Sequence, residues 1–260
     1  MINYSFSLTE IEYFLLILVR VSTFVYLAPF YGMKGVPNQV KIGISFFVSV
    51  LLFHVTEPHE ALVYNTVWGY GMIVAKEALT GLFLGFGVSI CTGILAFAGR
   101  IIDMETGLSM VNLVDPTTRE MSSMSGVFYQ YMVTLILMVS GMHRYLLQAL
   151  AETYILIPVN GAIFNTDKLL ETMLLFLKDY ILIGFRICLP VFAVMLLLNA
   201  VLGIMAKVSP QMNMFAVGLQ LKVLVGLCVL FITVRMLPGI ADFIYTEMKQ
   251  MMVAFVESMI

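Results

Sequence analysis

Two long apolar segments meet at a short polar break in residues Leu196–Gly226, LLLNAVLGIMAKVSPQMNMFAVGLQLKVLVG. The break contains Ser209-Pro210, and a proline both lacks an N–H and disfavours helical geometry in the residue before it. One helix is therefore expected to end here and a second to begin. Either Ser209 or Asn213 can cap the second helix. The stretch predicts a helical hairpin with three polar residues at its tip: Lys207, Gln211 and Asn213.

A four-residue spacing follows the break. Gly218, Lys222 and Gly226 recur at every fourth position, so they share one face of the second helix. Glycines on such a face allow another helix to approach closely, as in many membrane helix pairs. A lysine between them needs a partner or water. This face is therefore predicted to pack against protein.

The composition is that of a membrane protein. Of the 260 residues, 61% are hydrophobic and 12% are charged, and the mean hydropathy is +0.99. Soluble domains carry about 25% charged residues. A helix needs roughly 20 apolar residues to cross a bilayer. The length therefore predicts an all-α polytopic protein of about six apolar segments, forming one integral membrane domain over residues 1–260.

Other classes of protein find little support in the composition. A net charge of −2 and the lack of a Lys/Arg cluster exclude a nucleic-acid footprint. Cys91, Cys188 and Cys228 lie far apart in apolar runs, which favours small buried hydrophobes over a metal site or a disulfide. No basic region precedes the first apolar run, so no cleavable signal peptide is expected.

The remaining apolar segments differ in length and character. Ile11–Phe30 just suffices to span a bilayer, whereas Ile42–Thr56 is short for a full crossing. Ala78–Gly99 is uncharged and carries small residues every fourth position, which again predicts close helix packing. Met121–Met142 and Ile187–Ala206 complete the clean crossings.

Two prolines predict irregular helix geometry in the second half of the chain. Pro190 predicts a kink. Pro238-Gly239 predicts a break before an amphipathic tail, Ile240–Ile260, which should lie against a partner or the membrane interface rather than span. Its apolar face is formed by Ile240, Ile244, Met248, Met251 and Phe255.

A different kind of segment lies in mid-chain, Arg100–Glu120, RIIDMETGLSMVNLVDPTTRE. Charges, Gly107 and Asp115-Pro116 bracket the short apolar run Leu108–Val114. It is either an ordinary solvent loop or a loop at membrane depth, where irregular backbone must be buried or line a cavity. Arg100 and Asp103 are three residues apart, which predicts a local ion pair at the entrance of this loop.

Enzyme motifs are lacking, and no catalytic residue, cofactor or metal site is predicted. There is no His-Glu-x-x-His, no Gly-x-Ser-x-Gly and no phosphate-binding Gly-Lys-Ser/Thr sequence, and Ser140 with His143 is a weak candidate for a membrane protease. An ion-coupled secondary transporter is a stronger alternative, because charges within apolar segments can form ion paths. The same charges can instead be structural ion pairs or snorkelling groups. They include Lys76, Glu77, Arg100, Asp103, Lys178, Asp179, Arg186, Lys207 and Lys222.

The residues resemble the FliR family of flagellar type III export components over essentially the whole chain. The most specific part is the hairpin, with Leu198-Asn199, Leu202-Gly203-Ile204, Lys207, Pro210-Gln211, Asn213, Phe215, Gly218 and Lys222. Supporting positions are Arg20, Pro29, Pro37, Lys41, Gly99, Asp103, Gly107, Asp115-Pro116, Gly141 and His143. The homologous subunit of virulence secretion systems is the nearest rival.

The resemblance implies a fold of tilted helical hairpins and a role without catalysis. It implies a subunit of the export gate in the bacterial inner membrane, within the flagellar basal body. The implied partners are P-type and Q-type gate subunits, the switch protein, the large export platform protein and unfolded protein substrates. A loop projecting into the pore as a plug matches Thr106–Arg119.

The implied site residues form two sets. The plug comprises Gly107, Leu108, Met110, Val111, Leu113, Val114, Asp115 and Pro116. The packing and assembly set comprises Arg100, Asp103, Lys207, Pro210, Gln211, Asn213, Gly218, Lys222 and Gly226.

Overall fold

A computed structural model describes residues 8–33, 35–56, 64, 66–111, 123–209, 211 and 213–260. Within these residues the chain forms α-helices joined by turns and two 3-10 segments, and it has no strand. The helices are α1 (Leu8–Leu27), α2 (Asn38–Val55), α3 (Val67–Thr106), α4 (Met124–Val139), α5 (Met142–Leu156), α6 (Thr166–Val208), α7 (Met214–Thr233) and α8 (Leu237–Glu257). The 3-10 segments are Leu108–Val111 and Val234–Met236.

The prediction of an all-α polytopic membrane protein is confirmed. By length and composition, four helical stretches can cross a membrane: Asn38–Val55, Val67–Thr106, Thr166–Val208 and Ala216–Glu257. The count becomes five if α4 and α5 form one broken span. About six were expected. Helix α1 is not among them, since it carries Glu10, Glu12 and Arg20 within twenty residues. The apolar run Ile42–Thr56 was expected to be short for a full membrane crossing. Its helix begins earlier, at Asn38, and is long and apolar enough to cross.

The hairpin predicted at Ser209-Pro210 is present. Helix α6 ends at Val208, and α7 begins at Met214. Asn213 is the N-cap of α7, and its side-chain oxygen accepts a hydrogen bond from the Ala216 N–H at 3.4 Å. Lys207 lies in the last turn of α6, as expected. Local sequence rules thus determine both the end of one helix and the start of the next.

The two other prolines lie within helices. Pro190 lies inside α6, which continues through it as a single 43-residue helix. The kink predicted at Pro190 stays a prediction. Pro238 occupies the first turn of α8, where a missing N–H costs little. Only the short 3-10 segment Val234–Met236 separates α7 from α8. The expected break at Pro238-Gly239 is therefore wrong, because the proline sits where a helix tolerates it.

The chain divides into two compact units. Unit 1 comprises Met1–Cys91, Gly141–Phe176 and Thr246–Ile260, and unit 2 comprises Thr92–Ser140 and Leu177–Tyr245. Helices α3, α6 and α8 contribute residues to both. The single domain over residues 1–260 stays a prediction.

In unit 1, helices α1 and α3 pack through the small residues predicted from the four-residue spacing. A Cβ atom on Gly81 would collide with the Arg20 carbonyl and the Thr23 hydroxyl. One on Gly85 would lie 2.9 Å from the Leu27 Cβ. The two glycines therefore set the distance between the helices.

The tail packs on the protein's own core. Ile244, Met248, Met251 and Phe255 of the predicted apolar face are buried, whereas Ile240 is only partly covered. Within unit 1, the Phe255 ring stacks on Phe83 with centroids 6.1 Å apart. The predicted helical spacing of apolar residues in the tail is therefore correct. The surface that covers this part of the tail belongs to the same chain.

Candidate functional site: the base of the 107–122 loop

In unit 2, the end of α3 and the start of α4 are joined by hydrogen bonds across the 107–122 loop. The Ser123 hydroxyl donates to Asp103 Oδ2 at 2.7 Å and accepts from the Gly126 N–H at 2.9 Å, as the N-cap of α4. The Ser125 N–H donates to Asp103 Oδ1 at 3.2 Å. The buried carboxylate therefore meets the positive end of the α4 dipole, where an anion is favourable.

A close backbone approach reinforces this junction. A Cβ on Gly99 would collide with the backbone of Gly126. Only glycine at position 99 allows α3 and α4 to approach this closely. We call Gly99, Asp103, Ser123, Ser125 and Gly126 the loop base. The end of α3 and the start of α4, which flank the 107–122 segment, are therefore held together.

Helix α7 flanks the entry to the loop. A Cβ on Gly226 would lie 2.6 Å from Thr106 Cγ2 and 3.2 Å from Met195 Cε. Gly107, the first residue of the loop, has a φ of +80°, a conformation that favours glycine, and Leu219 lies beside it. The chain turns out of α3 at Gly107, against the face of α7.

A second polar cluster, in unit 1, is buried between α1, α3 and the turn after α5. Arg20 Nε donates to Glu77 Oε2 at 2.6 Å, and both side chains are fully buried. Arg20 also donates to the Ile157 carbonyl at 2.9 Å, and its guanidinium lies 4.3 Å from the centre of the Tyr154 ring. Glu77 Oε1 accepts from the Asn160 N–H at 2.8 Å. The ion pair thus fixes the turn to both helices.

Comparison with known proteins assigns the chain to a family. A model of the bacterial export proteins, family 1, matches residues 11–248. The chain belongs to this family. It is 32% identical over 221 residues to the flagellar biosynthetic protein FliR of Bacillus subtilis, covering 84% of this chain and 85% of that one. The FliR proteins of Aquifex aeolicus (32%, covering 84% and 83%) and Escherichia coli (24%, covering 88% and 87%) are also similar. The protein is a subunit of the flagellar type III export gate.

For this export-gate subunit, the structure describes part of the predicted plug. Gly107 and the 3-10 segment Leu108–Val111 follow α3. Leu113, Val114, Asp115 and Pro116 lie outside the described residues, as do the side chains of Met110 and Val111. The plug assignment stays a prediction.

One predicted contact at the loop base is wrong. Asp103 does not form an ion pair with Arg100, whose side chain is exposed. The Asp103 carboxylate instead accepts hydrogen bonds from a hydroxyl and a backbone N–H at the start of α4. These donors are fixed by the α4 helix, whereas an exposed arginine gains little from pairing in water.

The remaining packing residues fall at the tip and along α7. Lys207 and Gln211 are exposed, Asn213 caps α7, and Pro210 lies outside the described residues. A Cβ on Gly218 would lie 3.5 Å from Leu202 Cδ1, at an ordinary contact distance. Lys222 is half-buried and has no hydrogen bond or ion pair within the described part of the chain. Its role in assembly stays a prediction.

The Arg20–Glu77 pair was not predicted, although both residues had been singled out separately. The available signal was an arginine inside the apolar run Ile11–Phe30, since such a charge needs a partner. Sequence spacing does not identify a partner 57 residues away.

Two tyrosines near helix ends have altered acidity. Burial raises the pKa of Tyr31, whose hydroxyl donates to the His143 carbonyl at 2.8 Å. A hydrogen bond to the Glu12 carboxylate raises the pKa of Tyr64. Both phenols therefore stay protonated and act as donors. Among the described side chains, no group of three His, Cys, Asp or Glu residues is placed to hold a metal ion.

Proposed function

We propose that the 107–122 loop is the plug of the export pore and that the loop base anchors it. The main support for this proposal is that the two ends of the loop are held together, by the hydrogen bonds of Asp103 and by the close approach of Gly99 to Gly126. A segment fixed at one closed point can be displaced by a passing substrate and return without disturbing the helices. The plug residues are Gly107, Leu108, Met110, Val111, Leu113, Val114, Asp115 and Pro116.

The chemistry of the loop supports a seal. Leu108–Val114 is uncharged and mostly apolar, between Gly107 and Asp115-Pro116. A narrow pore lined by apolar side chains excludes water and ions by dewetting. A glycine at the entry and a proline at the exit fix the limits of such a stopper.

The surface supports assembly with other membrane subunits. In unit 2, α6 exposes Leu182, Phe185, Leu189, Leu197, Val201 and Ile204. An apolar helix face of this size is covered by lipid or by neighbouring helices. We infer that P-type and Q-type gate subunits cover much of it in the bacterial inner membrane, within the flagellar basal body. The switch protein, the export platform protein and unfolded substrates then follow as further partners of the gate.

The test is a leak measurement on the overproduced gate. Deletion of Leu108–Val114, or replacement of Met110, Val111 and Leu113 by serine, leaves the loop base intact and removes the apolar side chains. Such variants should assemble and make the membrane permeable to small ions. Ion conductance and sensitivity to small toxic solutes report the leak. The exposed Lys168→Ala variant is the control and should stay as tight as wild type.

A loop variant that assembles at wild-type yield and stays tight would assign the seal to another subunit. In that case Leu108–Val114 is a packing segment only.

A further inference from the structure

A cavity of about 390 Å³ opens in unit 2 between α6 and the junction of α7 with α8. Most of its lining is apolar, and its volume is that of a small-molecule site. Two arginines, Arg186 of α6 and Arg235 of the 3-10 segment, line it too. The apolar lining includes Ile183, Ile187, Met236, Ile240 and Phe243.

The two arginines have no acidic partner within the described ranges. Neither forms an ion pair or a hydrogen bond there, and both are exposed. No aspartate or glutamate lines the cavity. Two guanidinium groups beside an apolar pocket in a membrane protein are complementary to an anion that carries a hydrocarbon chain.

The register of the α6–α7 hairpin places the two arginines opposite each other. Leu202 lies beside Gly218, and Met195 lies beside Gly226. Within each pair, the two residues are separated from position 210 by the same number of residues along the sequence, to within one residue. Arg186 and Arg235 are likewise separated from position 210 by the same number of residues, to within one. The hairpin therefore aligns the two guanidinium groups, in agreement with their common cavity.

The distance of the two arginines from the turn determines their depth in the bilayer. About 22 helical residues separate Arg186 from the end of α6, or roughly 33 Å at 1.5 Å per residue. The hydrocarbon core of a bilayer is about 30 Å thick. When the polar tip with Lys207 reaches one surface, the arginines reach the opposite one, at the level of the phospholipid phosphates.

We propose that this cavity binds an anionic phospholipid, with its phosphate between Arg186 and Arg235 and one acyl chain along Ile187, Ile240 and Phe243. Arginine forms paired hydrogen bonds to phosphate oxygens. The lipid would fill the space beside the 3-10 segment, where α7 and α8 join, and stabilise that junction.

Native mass spectrometry of the full-length protein in mild detergent tests the site, with phosphatidylglycerol as the probe and phosphatidylcholine as the neutral comparison. Phosphatidylglycerol should bind more tightly. Arg186→Gln with Arg235→Gln should weaken it about a hundredfold, since each charge-assisted hydrogen bond contributes about tenfold and the double variant removes one from each arginine. Lys168→Gln with Lys178→Gln removes the same charge from exposed sites and should bind as wild type.

Gly239→Leu provides a variant that keeps both arginines. A Cβ at Gly239 meets nothing within 4 Å, so leucine can enter the cavity without a clash. It should reduce binding of phosphatidylglycerol while leaving the melting temperature of the lipid-free protein unchanged or raised.

Three results would overturn the proposal. One is equal phosphatidylglycerol binding by wild type and the double arginine variant. Another is displacement of the lipid by an equal concentration of inorganic phosphate, which would indicate a plain anion site. The last is loss of co-purifying gate subunits in the double arginine variant with unchanged lipid binding, which would assign the arginines to a partner's carboxylate.

Discussion

Arg20 Nε and Glu77 Oε2 lie 2.6 Å apart with both side chains fully buried, and they join α1 to α3 within unit 1. The pair also bonds the Ile157 carbonyl and the Asn160 N–H, so the turn after α5 depends on it. A buried ion pair adds little stability compared with apolar residues, but losing one partner leaves an unpaired charge.

Glu77→Ala should therefore destabilise the protein by about 3–5 kcal/mol, because it leaves the Arg20 guanidinium buried without a carboxylate. Thermal unfolding in detergent and the amount of protein in the membrane measure this. Glu171→Ala changes an exposed glutamate and is the matched control.

Adding Arg20→Met to Glu77→Ala should recover part of the loss, since the unpaired charge is then removed. Recovery stays incomplete because Ile157 and Asn160 keep unmatched polar groups. If Glu77→Ala alone melts like wild type, the pair is not needed for folding.

Short-range rules were sufficient for the hairpin. Ser209-Pro210 and Asn213 lie within five residues of each other, and each acts on the backbone next to it. The same is true of Gly81 and Gly85, whose spacing alone identifies a packing face. The tail illustrates the limit of such rules: the period identified Met248 and Phe255 as apolar positions but not the surface that covers them.

Long-range pairs could not be predicted in this way. Asp103 has a basic residue three positions away, so local spacing favoured Arg100. Its actual donors are about 20 residues away, on a helix whose start depends on the fold. Arg20 and Glu77 are further apart still. Choosing their partners requires the positions of α1, α3 and α4, which no local pattern contains.

Asp103→Ala should lower the free energy of unfolding by about 1–3 kcal/mol, since it leaves the Ser123 hydroxyl and the Ser125 N–H without their acceptor at the loop base. Asp103→Asn keeps one acceptor oxygen and should cost less. Thermal unfolding of the purified subunit ranks the variants.

Export by Asp103→Asn should continue at much of the wild-type rate, because the carboxylate has a structural role. Export is measured as secreted flagellar protein per cell. Complete loss with an intact assembly would instead favour proton transfer through Asp103, as in an ion-coupled transporter.

Gly99→Ala should destabilise unit 2 by at least 1–3 kcal/mol, because the new methyl group collides with the Gly126 backbone, which has no flexible side chain to move. Gly93→Ala is the matched control in the same helix. There a Cβ lies 3.6 Å from the Tyr180 ring, an ordinary contact, so the change should be nearly neutral. Equal melting temperatures for the two variants would show that α3 and α4 separate at little cost.

Lys222→Leu should affect the isolated subunit and the assembled gate in opposite directions. The ammonium group is half-buried on α7 between Gly218 and Gly226, without a partner in the described part of the chain. An unpaired lysine near the centre of a membrane helix costs roughly 2.5–3.5 kcal/mol. Removing it should raise the melting temperature of the isolated chain.

The assembled gate should respond the other way if Lys222 meets a carboxylate or helix-end carbonyls of another subunit. Lys222→Leu should then lower the yield of co-purified subunits and reduce motility, whereas Lys178→Leu, at an exposed lysine outside the predicted assembly set, should do neither. A loss of stability in the isolated chain would place the partner within this chain instead. Full co-purification with normal motility would mean that Lys222 extends its charge to water, and that the spacing of Gly218, Lys222 and Gly226 reflects helix packing alone.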